Sequence, residues 1–263
     1  MDTDNTHRVA EFAERVRRRR TVIGYWISAG NPAATERISR LGYDYVVLDG
    51  QHGLIDARGL LDNLVAIDAG GCAVGLIRVE ANHPAPIGRA LDSGAAGVIV
   101  PLINSAEDAA AAVAAARYPP QGIRSYGPTR SALRIGPQPA VTNATVLVLG
   151  MIETAAGLAD VERIAATPGL DGLYVGPSDL TLGVGGAYPG DPAAAEALAR
   201  ALDRVRAACG DRSIVAGIYC PSGEDAAAKL AAGFSFVTVA SDLSHLEEAA
   251  RAHLDGARAA ASD

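Results

Sequence analysis

Eight short apolar runs recur along this chain, and Ala-rich stretches separate most of them. The apolar runs cover residues 22–27, 45–49, 73–79, 97–101, 146–152, 172–176, 214–219 and 236–240. Most are rich in Val and Ile and are flanked by Gly or Asp, which is typical of buried parallel strands. Helical composition marks residues 56–69, 105–116, 154–166, 192–209 and 223–232. Eight strands alternating with helices predict a closed (β/α)₈ TIM barrel rather than an open doubly wound sheet.

The length of 263 residues agrees with a single barrel, because α/β barrels commonly reach this size as one domain. No linker divides the chain, so we predict one domain over residues 1–263. We expect residues 1–6 to be disordered and residues 242–261 to form a C-terminal helical segment. Aromatic residues make up only 5% of the chain, so Ala, Val, Leu and Ile must fill most of the core.

Charge and cysteine usage narrow the function classes. The net charge of −7 argues against a nucleic-acid surface, which usually needs a basic patch. No apolar run approaches the roughly 20 residues that span a membrane, and the first residues carry no apolar signal segment. Cys72, Cys209 and Cys220 lack C-x-x-C spacing, which favours a reduced, cytoplasmic setting.

Two acidic residues, Glu153 and Asp179, each come just after an apolar run. Because the carboxyl ends of parallel strands meet at one face of a barrel, these carboxylates can converge on one divalent cation. Two carboxylates with water and substrate oxygens are a common ligand set for Mg²⁺ or Mn²⁺. Either residue alone could instead complement a helix dipole. The pair favours a metal site.

Asp49 ends the apolar run at 45–49, His52 follows it, and Arg78 lies near the end of the run at 73–79. The spacing of Asp49 and His52 lets the carboxylate orient the imidazole, so we predict His52 as a general base. Arg78 ends an apolar strand, where a buried cation is costly unless it meets an anion. It either pairs with a structural carboxylate or lies over a substrate oxygen, where it would stabilise an enolate.

The turn Gly176-Pro177-Ser178 leads from the sixth strand into a helix. Free N–H groups at such a helix start can bind a substrate carboxylate. The long loop at 117–145 is predicted to be a lid or binding loop at the active face. The single lysine, Lys229, falls in an outer helix, which makes a Schiff-base aldolase unfavourable.

At these residues the chain resembles the HpcH/HpaI aldolase/citrate lyase family of metal-dependent class II pyruvate aldolases. The matching blocks are LGYDYVVLDGQHG, LIRVE, LDSGAAGVIVP, RYPPQGIRSYGP, MIET and DGLYVGPSDL, and the resemblance covers about residues 20–240. The resemblance implies a (β/α)₈ barrel and a Mg²⁺, Mn²⁺ or Co²⁺ ion held by Glu153 and Asp179, with no organic cofactor. It implies Arg78 at the keto or enolate oxygen of pyruvate.

The same resemblance implies further roles. His52, paired with Asp49, would be the base, and backbone N–H groups of Ser178 and Asp179 would receive the substrate carboxylate. Family members are similar in forming homohexamers. By that likeness, Asp92 reaches the active site of a neighbour, and the helical segment after residue 241 packs on a partner subunit.

The sequence therefore predicts an aldolase that cleaves or forms 4-hydroxy-2-oxo acids, with pyruvate enolate as nucleophile and an aldehyde as acceptor. One alternative is an acyl-CoA thioester lyase of the citrate lyase β or malyl-CoA type. The CoA phosphates would then meet the loop arginines Arg117, Arg124, Arg130 and Arg134. A second alternative is a catalytically lapsed barrel that only binds a keto acid. Gln51 and Met151 keep that alternative open, because many family aldolases carry Glu and Gln at these positions.

Overall fold

The computed structural model describes residues 3–260, and its eight parallel strands close into a barrel in chain order. The strands are β1 Val22–Ile27, β2 Tyr45–Asp49, β3 Val74–Arg78, β4 Gly97–Val100, β5 Leu147–Ile152, β6 Gly172–Val175, β7 Val215–Cys220 and β8 Phe236–Ser241. Pairing of β8 with β1 closes the sheet. The predicted (β/α)₈ TIM barrel is confirmed, and each predicted strand end lies within one residue of the observed end.

Helices surround this barrel in the described part of the chain. They are α1 Thr3–Arg17, α2 Pro32–Ser39, α3 Ala57–Gly70, α4 Pro84–Asp92, α5 Ala106–Ala116, α6 Pro139–Thr145, α7 Ala155–Ala159, α8 Val161–Ala165, α9 Pro177–Gly183, α10 Ala195–Arg212, α11 Gly223–Ala231 and α12 Asp242–Ala260. Helix α1 begins at Thr3, so residues 3–6 are helical where the sequence predicted disorder. The first two residues lie outside the described range. No helix within residues 3–260 is long and apolar enough to cross a membrane.

Short polar side chains begin the helices that leave the carboxyl ends of the strands. Ser105, Thr154 and Ser222 each have extended backbone and accept a backbone N–H from the residue three positions later. Such N-caps satisfy donors that the first helical turn leaves without partners. Gly42 and Gly233 adopt φ values of 99° and 102° in the turns that lead back into β2 and β8. These turns fix where each strand starts and therefore where its carboxyl end projects.

Aromatic side chains fill the inside of the barrel, and glycines make room for them. A Cβ at Gly24 would lie 2.2 Å from the ring of Tyr45, and a Cβ at Gly217 would lie 2.9 Å from the ring of Tyr174. Both tyrosines are fully buried. Phe236 stacks on Tyr45 with ring centroids 4.2 Å apart. The inside of the barrel is thus a packed core rather than a channel.

The loop at 117–145 does not lie where the sequence predicted. It starts where α5 ends, at the amino-terminal face of the barrel, because α5 runs antiparallel to the strands. Arg117 bonds the carbonyl of Val146, just before β5, at 2.7 Å, and the carboxylate of Asp171, just before β6, at 3.0 Å. Since the loop follows a helix rather than a strand, it cannot form a lid over the mouth of its own barrel.

Candidate active site

A cavity of about 260 Å³ opens at the carboxyl ends of the strands. It collects residues from seven of the eight strand ends: Trp26, Ser28, His52, Arg78, Met151, Tyr174, Gly176, Pro177, Ser178, Asp179, Tyr219 and Ser241. Most of the residues that the sequence predicted for the site lie in this one cavity. The sequence did not single out the aromatic wall of Trp26, Tyr174 and Tyr219, because aromatic residues in apolar strands look like ordinary core.

Glu153 follows β5 and is buried, with 4% of its surface exposed. Its Oε1 accepts the backbone N–H of Leu102 at 2.7 Å. Burial is the largest influence and raises the pKa of Glu153 above its usual range; the Leu102 N–H opposes this rise and the charge of Asp179 adds to it. The two carboxylates therefore interact electrostatically, and a cation between them would relieve both the burial cost and the repulsion.

Gly176 leaves space beside the second oxygen of Glu153. A Cβ at this position would lie 3.1 Å from Oε2 of Glu153 and 3.3 Å from Cε of Met151. Oε1 is committed to Leu102, so Oε2 is the oxygen that remains for a ligand. Carboxylate oxygens are the donors that hard divalent cations prefer. The residues present therefore fit a divalent ion held by Glu153 and Asp179.

Leu102 has a left-handed backbone conformation, with a φ of 55°. A branched side chain in this region is strained, and such strain is often stored beside functional groups. Here the conformation accompanies the hydrogen bond that the Leu102 N–H donates to Glu153. The sequence carries no signal for this contact, because the donor is a backbone group in a loop.

Asp49 and Arg78 form a buried bidentate ion pair. Nε of Arg78 bonds Oδ1 at 2.9 Å, and Nη2 bonds Oδ2 at 2.6 Å. Strands β2 and β3 pair in a register that sets Asp49 opposite Arg78, which brings the two side chains together. Burial alone would raise the pKa of Asp49, but the hydrogen bonds and charge of Arg78 outweigh it and lower that pKa below its usual range.

This pairing corrects the role predicted for Asp49. The carboxylate does not orient the imidazole of His52; its Oδ1 accepts the backbone N–H groups of Gln51 and His52, each at 3.1 Å. Asp49 therefore shapes the turn that carries His52 into the cavity. Within residues 3–260, no hydrogen bond joins the imidazole to another residue, and His52 is exposed at the cavity edge.

Arg78 has the first of the two roles that the sequence left open, and its position is compatible with the second. It pairs with a structural carboxylate, and it also lines the cavity. The Trp26 ring lies over the guanidinium, with Cζ 4.8 Å from the ring centroid, and the indole Nε1 donates to Oδ2 of Asp49 at 3.3 Å. Nη1 takes no part in the ion pair, so the cation can still face an anionic oxygen in the cavity.

Asp92 lies at the end of α4, away from the cavity that holds the other predicted site residues. Its Oδ1 accepts a hydrogen bond from Nη2 of Arg124 at 2.6 Å. Together they line a separate cavity of about 800 Å³. The structure therefore does not bring Asp92 to the site of its own chain, and its predicted contact with a neighbouring subunit stays a prediction.

The loop arginines that could have met CoA phosphates are already paired with carboxylates. Arg117 bonds Asp171, Arg124 bonds Asp92, and both Arg130 and Arg134 bond Asp68. Arg117 and Arg124 are also buried. These pairs hold the four arginines against carboxylates at the far end of the barrel from the cavity, which weighs against their binding CoA phosphates.

Cys220 and Lys229 are not among the residues that line this cavity. Burial raises the pKa of the Cys220 thiol to about 12, so the thiol is protonated at neutral pH. Lys229 faces Asp225 at 3.6 Å on the outer helix α11. Neither side chain is therefore placed as a nucleophile for a ligand in the barrel mouth.

Comparison with known proteins identifies the family of this chain. The family model for HpcH/HpaI aldolase/citrate lyase matches residues 22–249. The hydroxypyruvate/pyruvate aldolase of Rhizorhabdus wittichii is 41% identical over 244 residues, which cover 91% of this chain and 95% of that protein. The 5-keto-4-deoxy-D-glucarate aldolase of Klebsiella pneumoniae is 38% identical over 224 residues, which cover 84% and 86%.

A solved structure has the same architecture. The crystal structure of an HpcH/HpaI aldolase/citrate lyase family protein from Burkholderia cenocepacia superposes with a TM-score of 0.86 at 34% identity. The superposition covers 95% of this chain and 99% of that chain. This chain therefore belongs to the HpcH/HpaI aldolase/citrate lyase family and is a carbon–carbon lyase.

Proposed function

We propose that this protein is a divalent-metal-dependent pyruvate aldolase that cleaves and forms 4-hydroxy-2-oxo acids. The observation that carries the proposal is that Asp179 and Arg78 line one cavity at the carboxyl ends of the barrel strands, while the buried carboxylate of Glu153 interacts electrostatically with both. Two carboxylates supply a site for a hard cation, and a guanidinium supplies a second positive charge. The relatives named as aldolases support the same reaction class.

Glu153 and Asp179 would hold Mg²⁺, Mn²⁺ or Co²⁺ at the mouth of the barrel. When bound there, the ion supplies Lewis acidity toward the keto group of the substrate. The Arg78 guanidinium, held by Asp49 and Trp26, adds a fixed cation where negative charge develops on the keto oxygen. Because its position is set before substrate binds, little reorganisation is needed during the reaction.

The substrate carboxylate is assigned to the first turn of α9. Gly176 is the N-cap and has no side chain to satisfy the first N–H groups of that helix. The N–H groups of Ser178 and Asp179 have no partner within the helix, as helix geometry requires. An anionic group placed there is held by two donors and by the positive end of the helix.

His52 is assigned as the base. In cleavage, an imidazole nitrogen accepts the proton of the 4-hydroxyl group, the C3–C4 bond breaks, and an aldehyde leaves. The electron pair of that bond becomes the enolate of pyruvate, whose C3 then takes up the proton that the imidazolium gives back. Synthesis is the reverse sequence. The exposed imidazole suits this role, because the aldehyde must enter and leave on that side.

Cleavage of 4-hydroxy-2-oxopentanoate, the aldol of pyruvate and acetaldehyde, tests this function. We expect pyruvate release with Mg²⁺ or Mn²⁺ and none with a chelator. The His52→Gln variant should lower kcat by about 10²-fold or more, since general bases contribute on that order. The His7→Gln variant, on the outer helix α1, is the matched control and should leave kcat unchanged. A metal-independent rate, or equal rates for the two variants, would contradict the assignment.

A lapsed barrel remains the second candidate, and two residues favour testing it. Met151 makes the cavity less polar, and the side-chain oxygen of Gln51 is buried without a hydrogen-bond partner. This candidate predicts that Mn²⁺ and pyruvate bind together while no substrate is cleaved. Calorimetric binding beside the cleavage assay separates the two functions.

Self-association is part of the proposal. Helix α12 leaves the barrel, and its residues from Leu246 to Ala259 are exposed. The side chain of Asp242 anchors the first residue of α12 to the barrel, because it accepts hydrogen bonds from the backbone N–H groups of Ser28 and Ala29 at 2.8 and 3.0 Å. Ile23 on the outer face of β1 is 37% exposed, where barrels usually place a helix. We infer that α12 packs on a second copy of this chain, within a homo-oligomer that resembles the family hexamers.

Substitutions on α12 test this assembly. Leu246 and Leu254 lie on one stripe of the helix and are 67% and 49% exposed. The double variant Leu246→Lys/Leu254→Lys should shift the protein to smaller species in sedimentation experiments. Ala252→Lys/Ala259→Lys, on the opposite face, is the matched control and should keep the wild-type mass. If both variants sediment like wild type, α12 is not the contact surface.

A further inference from the structure

Three hydroxyl groups meet inside the barrel, below the catalytic cavity. Tyr174 donates its O–H to Oγ1 of Thr238 at 2.8 Å, and the hydroxyl of Tyr45 lies 2.9 Å from the same oxygen. All three side chains are fully buried. Buried hydroxyls are costly without partners, so this network specifies one arrangement of the two rings.

Tyr174 connects this network to the cavity. Its ring stacks on the indole of Trp26, with centroids 6.1 Å apart and planes inclined by 28°. It also forms part of the cavity lining. A shift of Tyr174 would therefore move part of the cavity wall and also the ring surface against which the Trp26 indole packs.

Trp26 continues the chain of contacts to the charged groups. Its indole lies over the guanidinium of Arg78 and donates to the carboxylate of Asp49. The contacts thus run from Thr238 through Tyr174 and Trp26 to the Arg78–Asp49 pair. No atom of Thr238 belongs to the cavity lining, so its influence on a substrate must be indirect.

We infer that Thr238 is a positioning residue: its bond to Tyr174 fixes Trp26 and, through Trp26, the guanidinium of Arg78 against the substrate. The inference rests on the proposed function, because it assigns Arg78 to the developing enolate. We expect loss of this hydrogen bond to lower kcat more than it changes KM. A displaced guanidinium still attracts the ground-state anion but meets the transition state less well.

The test uses Trp26 as a reporter, since it is the only tryptophan in the chain. The Thr238→Val variant keeps the side-chain shape but cannot accept the O–H of Tyr174. We expect a shifted Trp26 emission spectrum and a kcat for pyruvate methyl proton exchange that falls about tenfold, with KM for pyruvate unchanged. Thr238→Ser restores the hydroxyl and should restore both the spectrum and kcat.

Thr35→Val is the matched control. Thr35 is also fully buried and also bonds a side chain, Oδ1 of Asn63 at 2.5 Å, but it lies between α2 and α3. It should leave Trp26 emission and kcat at wild-type values. Tyr174→Phe removes the same hydrogen bond from the other side and replaces Thr238→Val if that variant does not fold.

Wild-type emission and kcat in a folded Thr238→Val or Tyr174→Phe variant would overturn the inference. Equal losses in Thr35→Val would also overturn it, because the effect would then be general destabilisation. Failure of the proposed function has a different signature. In that case wild type itself shows no metal-dependent exchange, while the Trp26 spectra still report whether Thr238 sets the position of the indole.

Discussion

The Glu153→Gln variant is expected to lose about 10³-fold in the rate of metal-dependent pyruvate proton exchange, since Lewis-acid stabilisation is worth several kcal/mol. The amide keeps the size of the side chain, and its oxygen can still accept the Leu102 N–H. What it removes is the negative charge beside Asp179. Mn²⁺ binding, followed by electron paramagnetic resonance, should weaken in parallel with the rate.

A second readout separates this loss from unfolding. Glu153 is buried, and its charged form is costly there without a cation. We therefore expect metal-free Glu153→Gln to melt no lower than metal-free wild type. Asp160→Asn is the matched control, because Asp160 also accepts a backbone N–H from the segment that follows β4, that of Ala106 at the start of α5, at 3.1 Å. It should keep wild-type Mn²⁺ binding; retained binding in Glu153→Gln would refute the assignment.

The Asp49→Asn variant is expected to show the largest loss of stability, about 3–5 kcal/mol in the free energy of unfolding, because it leaves Arg78 buried without a counter-charge. The side chains of Arg78 and Asp49 are only 10% and 4% exposed. The double variant Asp49→Asn/Arg78→Met should recover part of the loss, since it removes the uncompensated cation. Urea unfolding measures both variants.

Asp62→Asn provides the comparison for an exposed pair. Arg58 and Asp62 form an ion pair on α3 with 78% and 38% of the side chains exposed, and solvent screens such pairs so that they contribute little to stability. If Asp49→Asn loses no more stability than Asp62→Asn, the buried pair is not an important part of the fold.

The same pair gives a pH dependence with a definite sign. Arg78 lowers the pKa of Asp49 in the folded state, so the ionised Asp49 carboxylate stabilises the fold at pH values above the ordinary carboxyl pKa. This stabilisation is lost as the pH falls through the lowered pKa of Asp49 in the folded state. Wild type should thus lose stability in acid more steeply than the double variant Asp49→Asn/Arg78→Met.

The barrel was predictable because local sequence determines its parts. Runs such as residues 45–49 are short, apolar and β-branched, and the residues after them project at the carboxyl face of any parallel barrel. That rule alone placed Glu153, Asp179 and His52 on the correct face. The family resemblance then supplied roles that geometry leaves open.

Contacts between strands were harder to predict. The sequence placed Asp49 beside His52, three residues away, whereas the carboxylate pairs with Arg78 on the neighbouring strand. The register between β2 and β3 decides which residue Asp49 contacts, and that register cannot be predicted from the sequence of one strand alone. The loop at 117–145 was misplaced because its length indicated a lid, while its arginines pair with carboxylates at the other end of the barrel.

The backbone conformation of Leu102 could not be predicted from the sequence. Its φ is in the left-handed region, which usually indicates a glycine, but this position is a leucine. Likewise, Trp26 and Tyr174 look like core residues in sequence, and only closure of the barrel brings them to the cavity.

Pyruvate methyl proton exchange in D₂O, followed by NMR, tests the central claim most directly, because it reports enolate formation without any choice of aldehyde. We predict rapid exchange in wild type with Mg²⁺ or Mn²⁺, none with a chelator, and none above background in Glu153→Gln or Asp179→Asn. Absence of exchange in folded, metal-loaded wild type, or exchange that persists in both variants, would contradict a metal-held enolate between these carboxylates and Arg78.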